Sequence, residues 1–156
     1  MTLQGTRRLP ISVQVAHKTD VRTQFAALCW RVKNGKPEIL MITSRRTTRW
    51  IIPKGWPATG LTPGEGALRE AWEEAGVRGR GSEGSLGIYS YFKRIAGNTP
   101  LPCVAMVYPV KVSKLEQDYP EAGERKRKWV SPKKAAAMVD EPELAQILRN
   151  FDPRLL

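Results

Sequence analysis

The sequence predicts a single α+β domain, with strands on both sides of a short acid-rich helix and further helices towards the end of the chain. Two observations lead to this prediction. Apolar, strand-like runs occur before and after residues 63–75, where the spacing of apolar residues is helical. The chain has 156 residues, which is enough for one domain with a sizeable core and too short for two.

The composition is that of an ordinary soluble protein, with 41% apolar and 26% charged residues. No uninterrupted apolar run approaches the length that spans a membrane, and the basic N-terminus is not followed by the apolar segment of a signal peptide. Cys29 and Cys103 lie in apolar runs, which is typical of buried free thiols in a reducing compartment. We therefore expect a cytoplasmic protein without membrane attachment.

Residues 1–22 are predicted to form an irregular lead-in to a domain that spans residues 23–156. Their hydrophobic periodicity is weak, and only Ile11–Val15 alternates as an edge strand would. His17 is the only histidine of the chain. We assign it no role, because a lone histidine near a terminus is more often surface decoration than a ligand.

Two strands and a third, shorter one are predicted before the helix. Gln24–Val32 and Pro37–Thr43 are apolar runs, and the Asn34-Gly35 pair between them is a hairpin signal. Trp50–Gly55 is predicted to be a short strand that leads into a loop rich in glycine and proline.

The helix itself has clear start and stop signals. Thr62, Pro63 and Glu65 fit an N-cap, a first-turn proline and the third helical residue of a capping box. Gly76 ends the helix. An apolar stripe that should face the core consists of Leu68, Ala71, Trp72 and Ala75.

Three further strands and two helices are predicted after this helix. The strands are Leu86–Arg94, Leu101–Val112 and Lys126–Val130, with loops at residues 96–100 and 114–125. The helices run from Ser131-Pro132 to about Val139 and over Glu141–Phe151, where Leu144, Ile147, Leu148 and Phe151 share a face. The aromatic residues Tyr89, Tyr91 and Phe92 fit either a core position or a base or sugar pocket.

Three glutamates of the acid-rich helix point away from the apolar stripe. Glu70, Glu73 and Glu74 repel one another by a few tenths of a kcal/mol per pair, and they also lie towards the negative end of the helix dipole. A solvated helix face is one explanation of such a cluster. The other is a bound cation, and we expect something cationic among these side chains.

The spacing of these acids resembles a known family signature. Counting from Gly55, the chain has five residues, Leu61, seven more residues, and then Arg69-Glu70-Ala71-Trp72-Glu73-Glu74-Ala75-Gly76-Val77. This resembles the Nudix hydrolase box, Gly-x5-Glu-x7-Arg-Glu-U-x-Glu-Glu-x-Gly-U with U apolar. Leu61 replaces the first glutamate. Glu65 is the candidate substitute, but helical geometry favours a structural role for it, because it has a capping role and projects away from the other acids. The resemblance implies a mixed β-sheet sandwiched between helices.

The resemblance also implies a reaction, the Mg²⁺-dependent cleavage of a phosphoanhydride bond, with Mn²⁺ as an alternative metal. Hard carboxylate ligands can hold a Mg²⁺ ion that neutralises phosphate oxygens and activates water. The implied metal ligands are Glu70, Glu73, Glu74 and the carbonyl of Gly55. Arg69 is expected to hold Glu73 in place through an ion pair.

The general base is not fixed by the sequence. Glu74 could take the proton from water, and so could an acid in the loop after the sheet strands. Glu121 and Glu124 are the strongest loop candidates, followed by Glu116 and Asp118.

The net charge of +11 indicates an anionic partner, although the predicted site is acidic. Arg46, Arg49 and Lys54 lie in basic clusters near the box and are predicted to bind substrate phosphates. Scattered surface charge is the other explanation of each cluster. The clusters are short and resemble no nucleic-acid-binding motif, so a small phosphorylated anion is favoured over a nucleic acid as the partner.

Two stretches, Trp-x-x-Pro-Lys-Gly and Arg-Lys-Arg-Lys-Trp-Val, look like those of diphosphoinositol-polyphosphate and diadenosine-polyphosphate hydrolases. The alternative function is a Nudix-fold module that binds a nucleotide or an RNA end without cleaving it. Because the chain keeps Arg69 and all three glutamates, we favour the enzyme.

Overall fold

The computed structural model describes residues 22–93 and 99–156. The predicted lead-in up to residue 21 therefore lies outside the described residues, and with it the edge strand at Ile11–Val15 and His17. Most of the predicted loop at residues 96–100 lies outside them as well.

The described residues form eight strands, three α-helices and a final 3-10 turn. The strands are β1 (Arg22–Lys33), β2 (Lys36–Thr43), β3 (Trp50–Ile51), β4 (Lys54–Gly55), β5 (Val77–Gly81), β6 (Gly87–Lys93), β7 (Leu101–Leu115) and β8 (Arg127–Val130). The helices are α1 (Pro63–Ala75), α2 (Pro132–Met138) and α3 (Pro142–Arg149), and the 3-10 turn is Pro153–Leu155.

The strands form one mixed sheet, as the resemblance implied. Its main path runs in the order β3-β2-β1-β7-β5, while β4 pairs with β1, β6 with β7 and β8 with β2. The central pair, β1 and β7, is parallel, and the other pairs are antiparallel.

Helices cover both faces of the sheet, so the α/β/α arrangement is confirmed. Residues alternate along β1, and Leu28 and Cys29 belong to different hydrophobic clusters. The cluster that contains Leu28 also includes Leu144 and Leu148 of α3, and the cluster that contains Cys29 includes the alanines of α1. Both cysteines are buried and free. None of the described helices is long and apolar enough to cross a membrane.

The largest error of the sequence prediction is β5, which was not predicted. Val77–Gly81 contains two glycines and two arginines, a composition with low strand propensity. It forms a strand because its backbone lies close to β7, where a Cβ at Gly79 would overlap the Lys111 carbonyl. In addition, β7 continues to Leu115, so the following loop begins at residue 116 and not at 114.

Other boundaries differ by a few residues. The predicted strand Trp50–Gly55 is divided into β3 and β4. The last helix is shorter than predicted, although Phe151 beyond its end still packs into the core.

Helix α1 begins and ends where the sequence predicts. The Thr62 hydroxyl accepts from the Glu65 amide at 3.2 Å, and the Glu65 carboxylate accepts from the Thr62 amide at 2.9 Å, which is the predicted capping box. Gly76 ends the helix in the left-handed region, at φ 68°. Glu83 adds a contact that was not predicted, because its carboxylate accepts from the Gly64 amide at 2.9 Å.

Candidate active site

The approach of β4 to α1 brings Gly55 against Glu70. A Cβ at residue 55 would overlap the Glu70 carboxylate, so only glycine leaves room for this acid. Burial, and then the negative charges of Glu74 and Glu73, raise the pKa of Glu70 to about 7. The positive charge of Arg69 lowers the pKa of Glu70 but does not offset these effects.

Glu73 is held by two contacts. Arg69 Nε donates to Glu73 Oε1 at 3.1 Å, which is the ion pair that the resemblance implied. The carbonyl oxygen of Glu73 accepts from the Glu121 amide at 3.0 Å, so the loop after β7 lies directly on the last turns of α1.

Glu74 is buried, contrary to the prediction that all three acids lie on a face turned away from the packed stripe. Its Oε1 accepts from the Lys54 amide at 3.3 Å, and its Oε2 lies 3.5 Å from Arg125 Nη2. Burial raises the pKa of Glu74, whereas the charges of Arg125 and Lys54 oppose that increase. Arg125 is therefore one cation that lies beside these acids, and it contacts Glu74.

Arg125 connects the acids of α1 with the following loop. Its side chain is only 7% exposed, and besides Glu74 it donates to Glu121 Oε1 at 2.9 Å and to the Thr43 carbonyl at 3.0 Å. Sequence reasoning noticed its basic run but did not single out Arg125. No signal in the sequence distinguishes Arg125 from the other cations of this run, because its burial results from the contact with Glu74 of α1.

The two strongest loop candidates for the general base differ in their positions. Glu121 accepts from Arg125 and is close enough to Glu74 and Glu70 that its charge raises the pKa of both. Glu124 is about half exposed and pairs with Arg45 at 3.2 Å. Asp118 is exposed, and Glu116 pairs with Lys114 at 3.2 Å.

A cleft of about 710 Å³ opens beside Glu74. The predicted phosphate ligands Arg46, Arg49 and Lys54 all line it. Further cations in its wall are Arg45, Lys93 and Arg125, and the acids there are Glu74 and Glu141.

Two of the three predicted phosphate ligands have further contacts. Arg49 Nη1 lies 3.2 Å from both Asp140 and Glu141. Burial lowers the pKa of Lys54 to about 8, and its ammonium lies 4.8 Å from the Tyr91 ring centre. Both cations are therefore held in place at the edge of the cleft.

The aromatic residues of β6 divide between the two predicted roles. Tyr89 is buried in the core, whereas Tyr91 and Phe92 line the cleft. The hydroxyl of Tyr91 donates to Gln24 Oε1.

The donor set near α1 fits a hard divalent cation. Carboxylate and carbonyl oxygens are the ligands that Mg²⁺ accepts, and the space that Gly55 leaves for Glu70 keeps one carboxylate next to the β4 backbone. Within residues 22–93 and 99–156, however, no three Asp, Glu, His or Cys side chains converge into a ready metal-binding group. In this arrangement Glu73 and Glu74 are instead turned towards Arg69 and Arg125.

The fold and this site define an α/β/α domain with an acid-bearing helix beside a cationic cleft. The family model described as "NUDIX domain" matches residues 22–154. The chain belongs to the Nudix family.

Two curated relatives illustrate the similarity. Human diphosphoinositol polyphosphate phosphohydrolase 3-alpha is 32% identical over 110 residues, which are 69% of this chain and 63% of that protein. Nudix hydrolase 12, mitochondrial, of Arabidopsis thaliana is 30% identical over 119 residues, which are 74% of this chain and 59% of that protein. The chain thus spans about three fifths of the length of these relatives.

Solved structures share the fold. A binary complex of the C. elegans Ap4A hydrolase matches with a TM-score of 0.63 and 23% identity, over 86% of this chain and 97% of that one. A NUDIX hydrolase from Nitrosomonas europaea also has a TM-score of 0.63, with 17% identity over 86% and 95% of the two chains.

Proposed function

We propose that this protein is a Mg²⁺-dependent pyrophosphohydrolase that cleaves a phosphoanhydride bond in a small polyphosphorylated substrate. The observation that carries the proposal is the position of Glu74, which belongs to the acidic cluster of α1 and also lines the cationic cleft. Glu74 thus lies between the carboxylates that can bind a metal ion and the cations that can bind phosphates.

The proposed metal ligands are Glu70, Glu73, Glu74 and the carbonyl of Gly55. Mg²⁺, when bound, neutralises phosphate oxygens and makes a bound water more acidic. Arg69 keeps Glu73 oriented through the 3.1 Å ion pair. Arg46, Arg49 and Lys54 bind the phosphates on the cleft side of Glu74. Manganese, which accepts the same ligands, is expected to substitute.

A side chain must also take the proton from the attacking water. Among the loop acids, Glu121 is better placed than Glu124, because Arg125 links it to Glu74 while Glu124 points to the exposed Arg45. Glu74 itself stays the other candidate. Comparison of Glu121→Gln with Glu124→Gln tests the assignment, and we expect turnover to fall by at least about tenfold in the first variant only.

The central experiment compares two glutamates of the same helix. Phosphate-product release is measured over a panel of nucleoside polyphosphates and a diphosphoinositol polyphosphate, with and without Mg²⁺. Glu74→Gln keeps the shape but removes a charge, so turnover should fall by at least about a hundredfold with little change in folding. Glu65→Gln, at the other end of α1, is the matched control and should keep its turnover.

The result can contradict the proposal in two ways. Near-normal turnover in Glu74→Gln would show that α1 does not hold the metal. Tight binding of a panel member without any product, in the presence of Mg²⁺, would instead identify the non-cleaving binding module.

The preferred substrates are diadenosine polyphosphates and diphosphoinositol polyphosphates, since relatives carry these activities in their names. The large number of cations in the cleft supports a substrate with several phosphates. Neutralising Lys54 or Arg46 should raise KM more for longer phosphate chains than for shorter ones. Lys36→Gln, which removes an exposed cation on the β1–β2 hairpin, is the control. Equal effects of Lys54 or Arg46 substitution on KM at all phosphate chain lengths would show that these cations do not bind substrate phosphates.

A further inference from the structure

The last turn of α1 carries Glu73 but contains no basic residue. A helix ends with carbonyls that lack partners and with a partial negative charge, so acids in this turn make its end more negative. The compensating charge comes from β8. Arg127 Nη1 donates to the Ala75 carbonyl at 2.9 Å and to the Glu116 carbonyl, also at 2.9 Å.

Arg127 therefore joins three segments: β8, the end of α1 and the beginning of the loop over residues 116–125. Tyr119 completes this junction, because its ring centre lies 4.9 Å from the Arg127 guanidinium. The ring is buried and also lies against Gly76, where any Cβ would overlap it. The loop is thus packed onto the helix end by both a guanidinium and an aromatic ring.

The backbone of the same loop makes two hydrogen bonds to the end of α1. The Glu116 amide donates to the Gly76 carbonyl at 2.8 Å, and the Glu121 amide donates to the Glu73 carbonyl at 3.0 Å. The second bond directly sets where Glu121 stands relative to the acids of the helix. Arg127 and Tyr119 lie next to the first.

We propose that Arg127 and Tyr119 are positioning residues for hydrolysis. They dock the loop on the last turn of α1 and thereby fix Glu121 and Arg125 relative to Glu74. Neither residue lines the cleft, so both act through the groups that they hold. This inference rests on the proposed function, and it adds that residues outside the cleft, at the C-terminal end of α1, set the geometry of the site.

The test is Arg127→Gln in the full chain. A displacement of about 1 Å in a catalytic group can cost about a hundredfold in rate, so we expect kcat to fall by at least about tenfold. KM should change by less than about twofold, because the proposed phosphate ligands Arg46, Arg49 and Lys54 lie outside this loop and stay in place. Hydrogen exchange of the Glu121 amide should be faster by at least about tenfold, since this amide reports the docking of the loop directly.

The matched control is Arg78→Gln. Arg78 also stacks on an aromatic ring of this region, with its guanidinium 3.5 Å from the Trp72 ring centre. Its contact with the loop is an exposed ion pair of 3.9 Å to the Glu116 side chain, of a kind that contributes little, whereas Arg127 binds the loop backbone. This variant should leave both kcat and the exchange of Glu121 unchanged. Arg127→Lys keeps the charge without the planar fork and should retain more kcat than Arg127→Gln.

Two outcomes would overturn the inference. Unchanged exchange of the Glu121 amide in Arg127→Gln would show that Arg127 does not dock the loop. Faster exchange with unchanged kcat would show that docking is structural only.

If Arg127→Gln does not fold, Tyr119→Phe and Tyr119→Leu form a second pair of variants. Loss of the ring in Tyr119→Leu should lower kcat, and loss of the hydroxyl alone in Tyr119→Phe should not. Failure of the proposed function is seen separately, as Mg²⁺-independent or absent turnover in the unmodified protein.

Discussion

The two ends of α1 are held in different ways. At the N-terminal end, Thr62 and Glu65 satisfy each other's backbone groups within four residues of sequence. At the C-terminal end, Arg125 and Arg127 come from a loop and a strand that are distant from α1 in the sequence. The N-terminal end, which the local capping box holds together with Glu83, contains none of the proposed site residues, whereas the end that carries the acids is completed by Arg125 and Arg127. Changes at the first end should affect stability alone, and changes at the second should affect turnover.

The largest effect is expected from Gly55→Ala, next to the C-terminal acids. The added Cβ must displace the Glu70 carboxylate, and turnover should fall by at least about a hundredfold. The free energy of unfolding should change little, because the displaced group is the free end of a flexible side chain. Steady-state kinetics and urea denaturation measure the two effects. In Gly84→Ala a Cβ meets only the Ser82 hydroxyl, at 3.8 Å, so this control should show neither. Normal turnover in Gly55→Ala would remove Glu70 from the site.

The second effect concerns the glycine that ends α1. In Gly76→Ala, the left-handed conformation and the overlap with the Tyr119 ring should together lower the free energy of unfolding by about 2–3 kcal/mol. Gly35→Ala has a similar positive φ with nothing within 4 Å, so it isolates the backbone cost of about 1 kcal/mol. Equal costs in the two variants, measured by urea denaturation, would show that Tyr119 does not pack tightly on the helix end.

A smaller effect is expected at the N-terminal end. Thr62→Ala removes the side-chain cap and should lower the free energy of unfolding by about 1 kcal/mol. Turnover at a temperature well below the unfolding midpoint should stay within about twofold of the unmodified protein. A larger loss of turnover would contradict the separation between the two ends.

The smallest effect is expected from Leu61→Glu, which restores the first glutamate of the Nudix box. Leu61 is partly exposed, one residue before the N-cap, so an acid there gains at most a few tenths of a kcal/mol from the helix dipole. We expect turnover to change by less than about twofold in steady-state kinetics. A large gain in turnover would show that the N-terminal end also takes part in the reaction.

The same comparison explains how much could be predicted from the sequence. The bounds of α1 and its capping box follow from residues that are neighbours in the chain, so they were predicted correctly. Strands β1 and β2 were also predicted, because apolar runs with a turn signal between them depend on local chemistry. Strand β5 was missed because its residues have low strand propensity. It forms a strand through the close approach of Gly79 to β7, which its own sequence does not reveal.

The site was predictable to a similar degree. Glu70, Glu73 and Glu74 are found from spacing alone, since a helix places them together. The burial of Glu74 and the bridging position of Arg125 depend on how the loop after β7 folds back onto α1, which no local pattern encodes. The sequence thus predicted Arg69 as the partner of Glu73 but not Arg125 as the partner of Glu74.

The parallel pairing of β1 and β7 has a consequence for how the chain folds. Arg22 lies opposite Cys103, and α1 together with β2 to β6 intervenes between these partners in sequence. Because β7 contributes Val107 to one hydrophobic cluster and Val110 to the other, neither cluster is complete before β7 has been synthesised. Until then β1 has one open edge, and refolding requires a long-range closure of the kind that places β-rich domains in the millisecond-to-second range. Synthesis through β7 is therefore the step at which both edges of β1 can be paired, whereas the cluster around Leu28 is complete only after α3 has supplied Leu144 and Leu148.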